Sequence, residues 1–588
     1  RPCWLICRCA VSFGVSIHCG VMSLQPRPWP EVPELTARMA QASFRKGNLA
    51  TRIRDELGQV YEDSQFTAAF GVRGRPGISP AQLMIVTVLQ FSENLTDRQA
   101  ADAVRDRITW KYALGLELED PGFDFTVLSE FRDRLVDGDL TALALDALLV
   151  RLAGLGLVKA RGRQRTDSTH VLAAIRNLNR LELAGETLRA TLEALAAAAP
   201  DWLTATIDAS WAQVYGARID NLRLPESQTR RDALMTQYGV DGYHLLDAIH
   251  HPDAPGWLTN LPAVQALRQI WIQQYYRTTG TGRQEVRRRD PAPDGDGIPP
   301  ARNKIISPYD LDARYSIKRD TTWTGYKVHI TETCDPPSTA GTDTGPGELP
   351  NLITNIATTT ATVPDTAMTT TIHQQLDNKN LAPAEHLTDA GYSSAHIIVT
   401  AAHQHGITLI TPLLTDNSAQ ARAGHGYDRT AFTFDYDTRQ GTCPQGNTSS
   451  SWTPTRSHNT DTIVVAWPIT TCRPCPTREP CTRADRRKVS IQPRDIHETL
   501  TTARTTQTTP EWKTLYATRA GVEGTIRQAT HVTGIRTARY RGLPKTTLEH
   551  TIAATAINIH RLDNHWTGHP LDRTRTTHLQ RLNFTLAA

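Results

Sequence analysis

The chain has 588 residues, too many for one hydrophobic core, since single cores stop growing near about 250–300 residues. Hydrophobic residues make up 39% and charged residues 21%, a balance that excludes a disordered chain. Net charge is only +4, yet 54 of the 64 basic residues are arginine; this bidentate phosphate ligand suits a nucleic-acid partner, and a GC-rich genome would write the same composition.

No uncharged apolar run reaches the roughly 18 residues of a membrane-spanning helix, so no membrane partner is expected. Residues 1–21, "RPCWLICRCAVSFGVSIHCGV", resemble a signal peptide but carry Arg8 in the apolar part and no small-residue cleavage pattern. They are expected to be an upstream extension, with the chain proper starting at Met22, which removes Cys3, Cys7, Cys9 and Cys19. Of the five remaining cysteines, Cys443, Cys472, Cys475 and Cys481 cluster, a metal pattern before a disulfide pattern in a chain of this length.

Residues 22–155 read as a helical region. Ser79-Pro80 is an N-cap followed by proline, opening the apolar "LMIVTVLQF". Thr96-Asp97-Arg98-Gln99 fits a capping box, followed by Ala100, Val104 and Ile108 at spacing four. Pro121-Gly122 interrupts, and Leu128, Phe131 and Leu135 restart the period. Two capped helices across a turn fit a DNA-binding helix-turn-helix or an ordinary bundle.

The next region, 156–415, opens on "RTDSTH" and contains a helical insertion over about 175–320, in which 280–308 is a Pro/Gly/charge-rich loop. Period two then appears in "GYKVHITET", with Tyr326, Val328 and Ile330 facing one way and Lys327, His329 and Thr331 the other. "LITNIATTTATV" is a second strand, Met368, Ile372 and Leu376 mark a helix, "EHLTDAGY" is a short strand and turn, and "GITLITPLL" a further strand. Alternating strands and helices predict an α/β layer. Residues 416–505 read as a polar, irregular insertion carrying the four cysteines, and 506–588 as helical.

Three acidic residues stand out. Asp167 lies in "RTDSTH", Asp389 just past a short strand, and Glu523 between Arg519 and Arg527 at helical spacing four. Singly, each has an ordinary explanation: a helix cap, a turn residue and an ion-pair ladder. Together they suit Mg²⁺, which prefers carboxylate oxygens; two such ions about 3.5–4 Å apart can drive in-line phosphoryl displacement.

Several long segments carry a resemblance: "RTDSTHVLAAIRNLNRLEL", "SPYDLDARYSIKR", "WTGYKVHITETCD", "PAEHLTDAGY", "YATRAGVEGTIRQATH" and "RTARYRGLPKTTLEH", with "RPWPEVPE" and "LTDRQAADAVRDRITWKYALGLELEDPGFDF" upstream. From Met22 onward the chain resembles the DDE transposases of bacterial insertion sequences, in the group numbered eleven-eighty-two. The resemblance implies an α/β RNase H-like catalytic core, a mixed sheet with flanking helices, behind a helical N-terminal DNA-binding domain. It implies two Mg²⁺ ions per active site on catalytic Asp167, Asp389 and Glu523, cleavage at insertion-sequence ends, and strand transfer into target DNA. Expected partners are double-stranded DNA, as terminal inverted repeats and target, and a second copy on paired ends; the expected location is the cytoplasm, at the nucleoid.

The family's tyrosine–arginine–glutamate–lysine signature falls on Tyr516, Arg519 and Glu523, with Thr530 at the lysine position, where Arg527 or His531 would substitute. The DNA-binding residues implied are Tyr516, Arg519, Arg527, Arg536, Arg539, Arg541 and Lys545. Two rivals stay open: a transposase-derived DNA-binding protein without catalysis, and an RNase H-like nuclease that cuts without joining. "CRPCPTREPC" with Cys443 offers four thiols for a structural Zn²⁺, or stays reduced and unliganded; the isolated Cys334 is expected to be structural.

Overall fold

The computed structural model describes residues 22–568 except 72–73, 219–223, 281–282, 293–294, 319, 336–348, 414–418, 424–425 and 458–459. The expected upstream extension lies outside the described residues. Six strands form the principal sheet: β1 (Arg163–Leu172), β2 (Arg314–Lys318), β3 (Thr321–Thr333), β4 (Ile353–Thr360), β5 (Glu385–Leu387) and β6 (Thr408–Ile410). β3 contains the alternating "GYKVHITET" and runs antiparallel to β1, β2 and β4. β5 lies parallel to β1 and β6 parallel to β5, giving the order β4-β3-β1-β5-β6, with β2 on the first residues of β3. The result is a mixed α/β fold.

β1 shows no hydrophobic alternation because its buried side chains, Val171 apart, are polar, and several find partners within the fold. Gln164 donates to the Leu381 carbonyl at 2.8 Å and accepts from Thr354 at 2.8 Å. Thr166 shares hydrogen bonds with Thr331 at 2.7 Å and His386 at 2.6 Å. A buried polar strand is stable only when its groups are satisfied in this way. Asp167 is therefore a mid-strand residue, opposite Ile330, and not the cap of a helix at Val171.

The helices obey the sequence signals closely. Ser79 caps α1 (Pro80–Ser92) by accepting from the Gln82 N–H. Thr96 and Gln99 form the capping box of α2 (Asp97–Asp106), and α3 (Thr126–Asp137) buries Leu128, Phe131 and Leu135. α4 (Asp365–Asn378) follows β4 and buries Met368, Ile372 and Leu376; α5 (Ala395–His405) joins β5 to β6. α6 (Gly521–Val532) and α7 (Leu543–Trp566) close the described chain.

α7 is buried along most of its length. Its Asn558 exchanges two hydrogen bonds with the Ile353 backbone on β4, each 2.8 Å, while the helix also packs on α1. One hydrophobic core consequently runs from Leu83 and Leu89 of α1, through Ile552 and Ile559, to Tyr326, Val328 and Ile330 of β3. A second core belongs to the helical insertion, built around Leu188, Leu245 and Trp271.

Two regions differ from expectation. The segment read as a loop from 280 instead supplies the second strand, Arg283–Arg288, of a hairpin opened by Tyr275–Gly280, and buried Tyr275 and partly buried Val286 tie that hairpin to the second core. The polar stretch 416–505 holds a three-stranded sheet, Ser451–Ser457, Thr460–Ala466 and Lys488–Ile491, and then the helix Arg494–Gln507. Its core is small, Phe432, Val465, Trp467, Val489 and Ile491, too few apolar residues to dominate the local composition.

Candidate active site

Asp167, Asp389 and Glu523 come from three different elements: the middle of β1, the turn after β5, and the first turn of α6. Asp389 accepts from the Gly391 N–H at 2.9 Å, so the turn reading of this residue holds. Arg519 joins the other two. Its Nη1 donates to Asp167 Oδ2 at 3.2 Å and its Nη2 to Glu523 Oε1 at 2.9 Å, so its guanidinium spans both carboxylates. The ladder reading is half fulfilled: Arg519 and Glu523 pair, while exposed Arg527 makes no ion pair among the described residues.

The electrostatics are lopsided. The Asp167 side chain is 16% exposed. Burial pushes its carboxyl above the ordinary aspartate range, and the like charge of Asp389 pushes the same way. The Ser168 N–H and Arg519 act against this and do not offset it. Glu523 is 61% exposed and faces solvent across Arg519.

The other predicted residues divide into two groups. Tyr516 stacks on Trp512 at 4.9 Å, 10° from parallel, and packs against the small cluster of Cys334, Leu387 and Ile410. Arg536 donates to Thr169 Oγ1 at 3.0 Å and, through its carbonyl, pairs with Leu172 at the end of β1. Arg527, Arg536 and Arg541 are exposed. Arg539 is instead engaged internally, donating to the Leu95 carbonyl at 3.2 Å and to Asn94, and lying 4.3 Å over the Phe91 ring. Lys545 pairs with Asp133 at 2.5 Å. Thr530 turns its hydroxyl to the Ile526 carbonyl at 2.8 Å.

Sequence reasoning missed Asp365 and Lys327. They form an ion pair of 2.8 Å beside the site, and Ser168 Oγ lies 3.4 Å from Asp365. Asp365 follows Pro364 at a helix start, where a carboxylate is unremarkable, and only the fold reveals its neighbours. His329, directly opposite Ser168 on β3, bonds Tyr392 at 2.6 Å and is held neutral, its pKa lowered to about 4 by burial.

Carboxylate oxygens are the donor type that a hard divalent cation takes, and the three carry more negative charge than Arg519 offsets. Among the described residues, no three His, Cys, Asp or Glu stand in a metal-holding arrangement. This covers the cysteines too. Cys443, Cys472, Cys475 and Cys481 line one cavity of about 30 Å³ and lie near enough for their charges to act on Cys481, whose thiol is pushed up first by burial. Cys334 is buried, which raises its thiol to about 12 and leaves it inert. A cavity of about 520 Å³ lies elsewhere, between Arg27–Pro30 and α1, and is lined by none of these residues.

No described helix is long and apolar enough to cross a membrane. No curated protein and no solved structure matches the chain. Residues 39–134 match the family described as a transposase domain (DUF772), and residues 442–563 match the transposase DDE domain family. The second span contains the four cysteines and Glu523; Asp167 and Asp389 lie between the two spans. Together the two matches indicate that the chain is a transposase.

Proposed function

We propose that this transposase is a DDE enzyme of the insertion-sequence group numbered eleven-eighty-two, which cleaves element ends and joins them to target DNA with Mg²⁺ held by Asp167, Asp389 and Glu523. The observation that carries the reading is the bridge through Arg519, which ties Glu523 to an aspartate on β1 remote from it in sequence, beside Asp389. The strand order β4-β3-β1-β5-β6, with β3 antiparallel and β5 and β6 parallel to β1, supports an RNase H-like core. Bound at these carboxylates, Mg²⁺ would lower the pKa of an attacking water and neutralise charge on the scissile phosphate. Arg519 keeps Asp167 and Glu523 together and places a bidentate phosphate ligand at the same spot. Exposed Arg527, Arg536 and Arg541 supply positive charge for the DNA backbone.

The test is an end-DNA duplex incubated with Mg²⁺ and a target plasmid. Wild type gives nicked ends and joined product, while Asp167→Ala and Glu523→Gln give neither yet bind the duplex. Nicks without joining would identify a nuclease, and wild-type nicking by either variant would end the assignment. A structural Zn²⁺ on Cys443, Cys472, Cys475 and Cys481, which share one cavity, is part of the proposal and is checked by elemental analysis of protein purified without chelator; a fully active, zinc-free preparation would refute it.

A further inference from the structure

Arg165 stands two residues before Asp167 on the same face of β1, directly opposite Glu332 on β3. The Glu332 side chain is 0% exposed. Its Oε1 accepts from Arg165 Nε at 2.7 Å; its Oε2 accepts from Arg561 Nη1 at 2.7 Å and Thr525 Oγ1 at 2.5 Å. Burial pushes this carboxyl up, but Arg561 and Arg165, with the hydrogen bonds from Arg561 and Thr525, outweigh it and hold Glu332 below the ordinary glutamate range.

Both arginines reach beyond Glu332 to the segment that carries Glu523. Arg165 Nη1 donates to the Thr518 carbonyl at 2.6 Å. Arg561 donates to Thr525 Oγ1 at 2.5 Å and to Gln528 Oε1 at 3.0 Å. Arg519 and Glu523 lie between these anchor points. Gly521 gives Arg165 its space: a Cβ there would stand 2.0 Å from Arg165 Nη1. The backbone at Gly521 has φ −61°, open to any residue, so close approach alone demands glycine. Gly524, one turn on, meets nothing within 4 Å of an added Cβ.

We infer that Glu332 is a positioning residue, which through Arg165 and Arg561 sets the height of segment 518–528 over β1 and so places Glu523 and Arg519 against Asp167. This rests on the carboxylate-site reading above. A fully satisfied buried network rigidifies the elements it joins. The Arg519–Glu523 pair adds little to this hold, because the Glu523 side chain is 61% exposed.

The test uses the full chain without DNA, titrated with Mn²⁺ by electron paramagnetic resonance, together with amide hydrogen exchange of the metal-free protein. Glu332→Gln and Gly521→Ala should weaken Mn²⁺ binding by about 10–100-fold, the usual effect of removing a group that orients a ligand. Exchange should quicken across 518–532 while β1 and β3 stay protected. Gly524→Ala should leave both measurements at wild type. Where Glu332→Gln fails to fold, Gly521→Ala decides, because it keeps every charge. Wild-type Mn²⁺ affinity in either folded variant would overturn the inference. Wild-type-like binding by Asp167→Ala, or none by the wild type, would instead sink the carboxylate-site reading.

Discussion

Arg165 and Asp167 share one face of β1, and their surroundings differ in charge balance. Around Glu332, two arginines and a threonine hydroxyl satisfy one fully buried carboxylate. Around Asp167, a single arginine serves both Asp167 and Glu523, and Asp389 adds further negative charge. The first cluster is complete as it stands; the second is short of positive charge and partly open to solvent. The contrast separates a closed internal cluster from one that, under the proposed function, a cation and a phosphate would complete.

The largest effect on stability should come from breaking the complete cluster. Glu332→Ala leaves two arginines without their shared anion and should cost about 3–5 kcal/mol in urea unfolding, as loss of one partner of a buried ion pair does. A loss under about 1 kcal/mol, the range of a surface pair, would make the two clusters alike.

Next in size is a pair of opposite pH dependences. Glu332 is held below its ordinary value, so its contribution is present above the unfolded pKa and fades as pH falls through the folded one. Asp167 is raised, so its contribution is present below the unfolded pKa and is lost as pH rises through the folded one. At neutral pH, Asp167→Asn should therefore melt higher than wild type and Glu332→Gln lower. Shifts of the same sign in both would break the comparison.

A smaller effect concerns DNA. Arg519→Ala should weaken all sequences about equally and flatten the salt dependence of affinity by roughly one phosphate contact, measured in Ca²⁺ to suppress cleavage. Thr530, whose hydroxyl is turned to its own helix, carries no cation. Thr530→Lys should bind end DNA as well as wild type or better. An unchanged slope for Arg519→Ala would leave it as a partner for carboxylates only.

The contrast between the clusters also explains what the sequence made legible. Caps such as Ser79 and Thr96, and the stripe Met368–Ile372–Leu376, act within one turn or one helix face, so local spacing reveals them. β1 hid because a strand that buries Gln164, Arg165, Thr166, Ser168 and Thr169 and a single apolar residue, Val171, has no apolar period, and its partners are distant in sequence. The three carboxylates are proposed as a set on the resemblance, each being ordinary in its local setting. Glu332 gave no signal at all: its anchors, Arg165, Thr525 and Arg561, meet only when four elements pack. Arg539 and Lys545 have partners inside the fold, Asn94 and Asp133, that their charge in the sequence does not reveal.

Asp389 is the least anchored member of the proposed site: among the described residues it acts on Asp167 through its charge. The decisive measurement is Mg²⁺-dependent nicking of end DNA by Asp389→Ala, with binding of the same duplex recorded in parallel. Retained binding with nicking reduced by roughly a thousandfold, about 4 kcal/mol of transition-state stabilisation, is the predicted result. Nicking at the wild-type rate would contradict a three-carboxylate cation site.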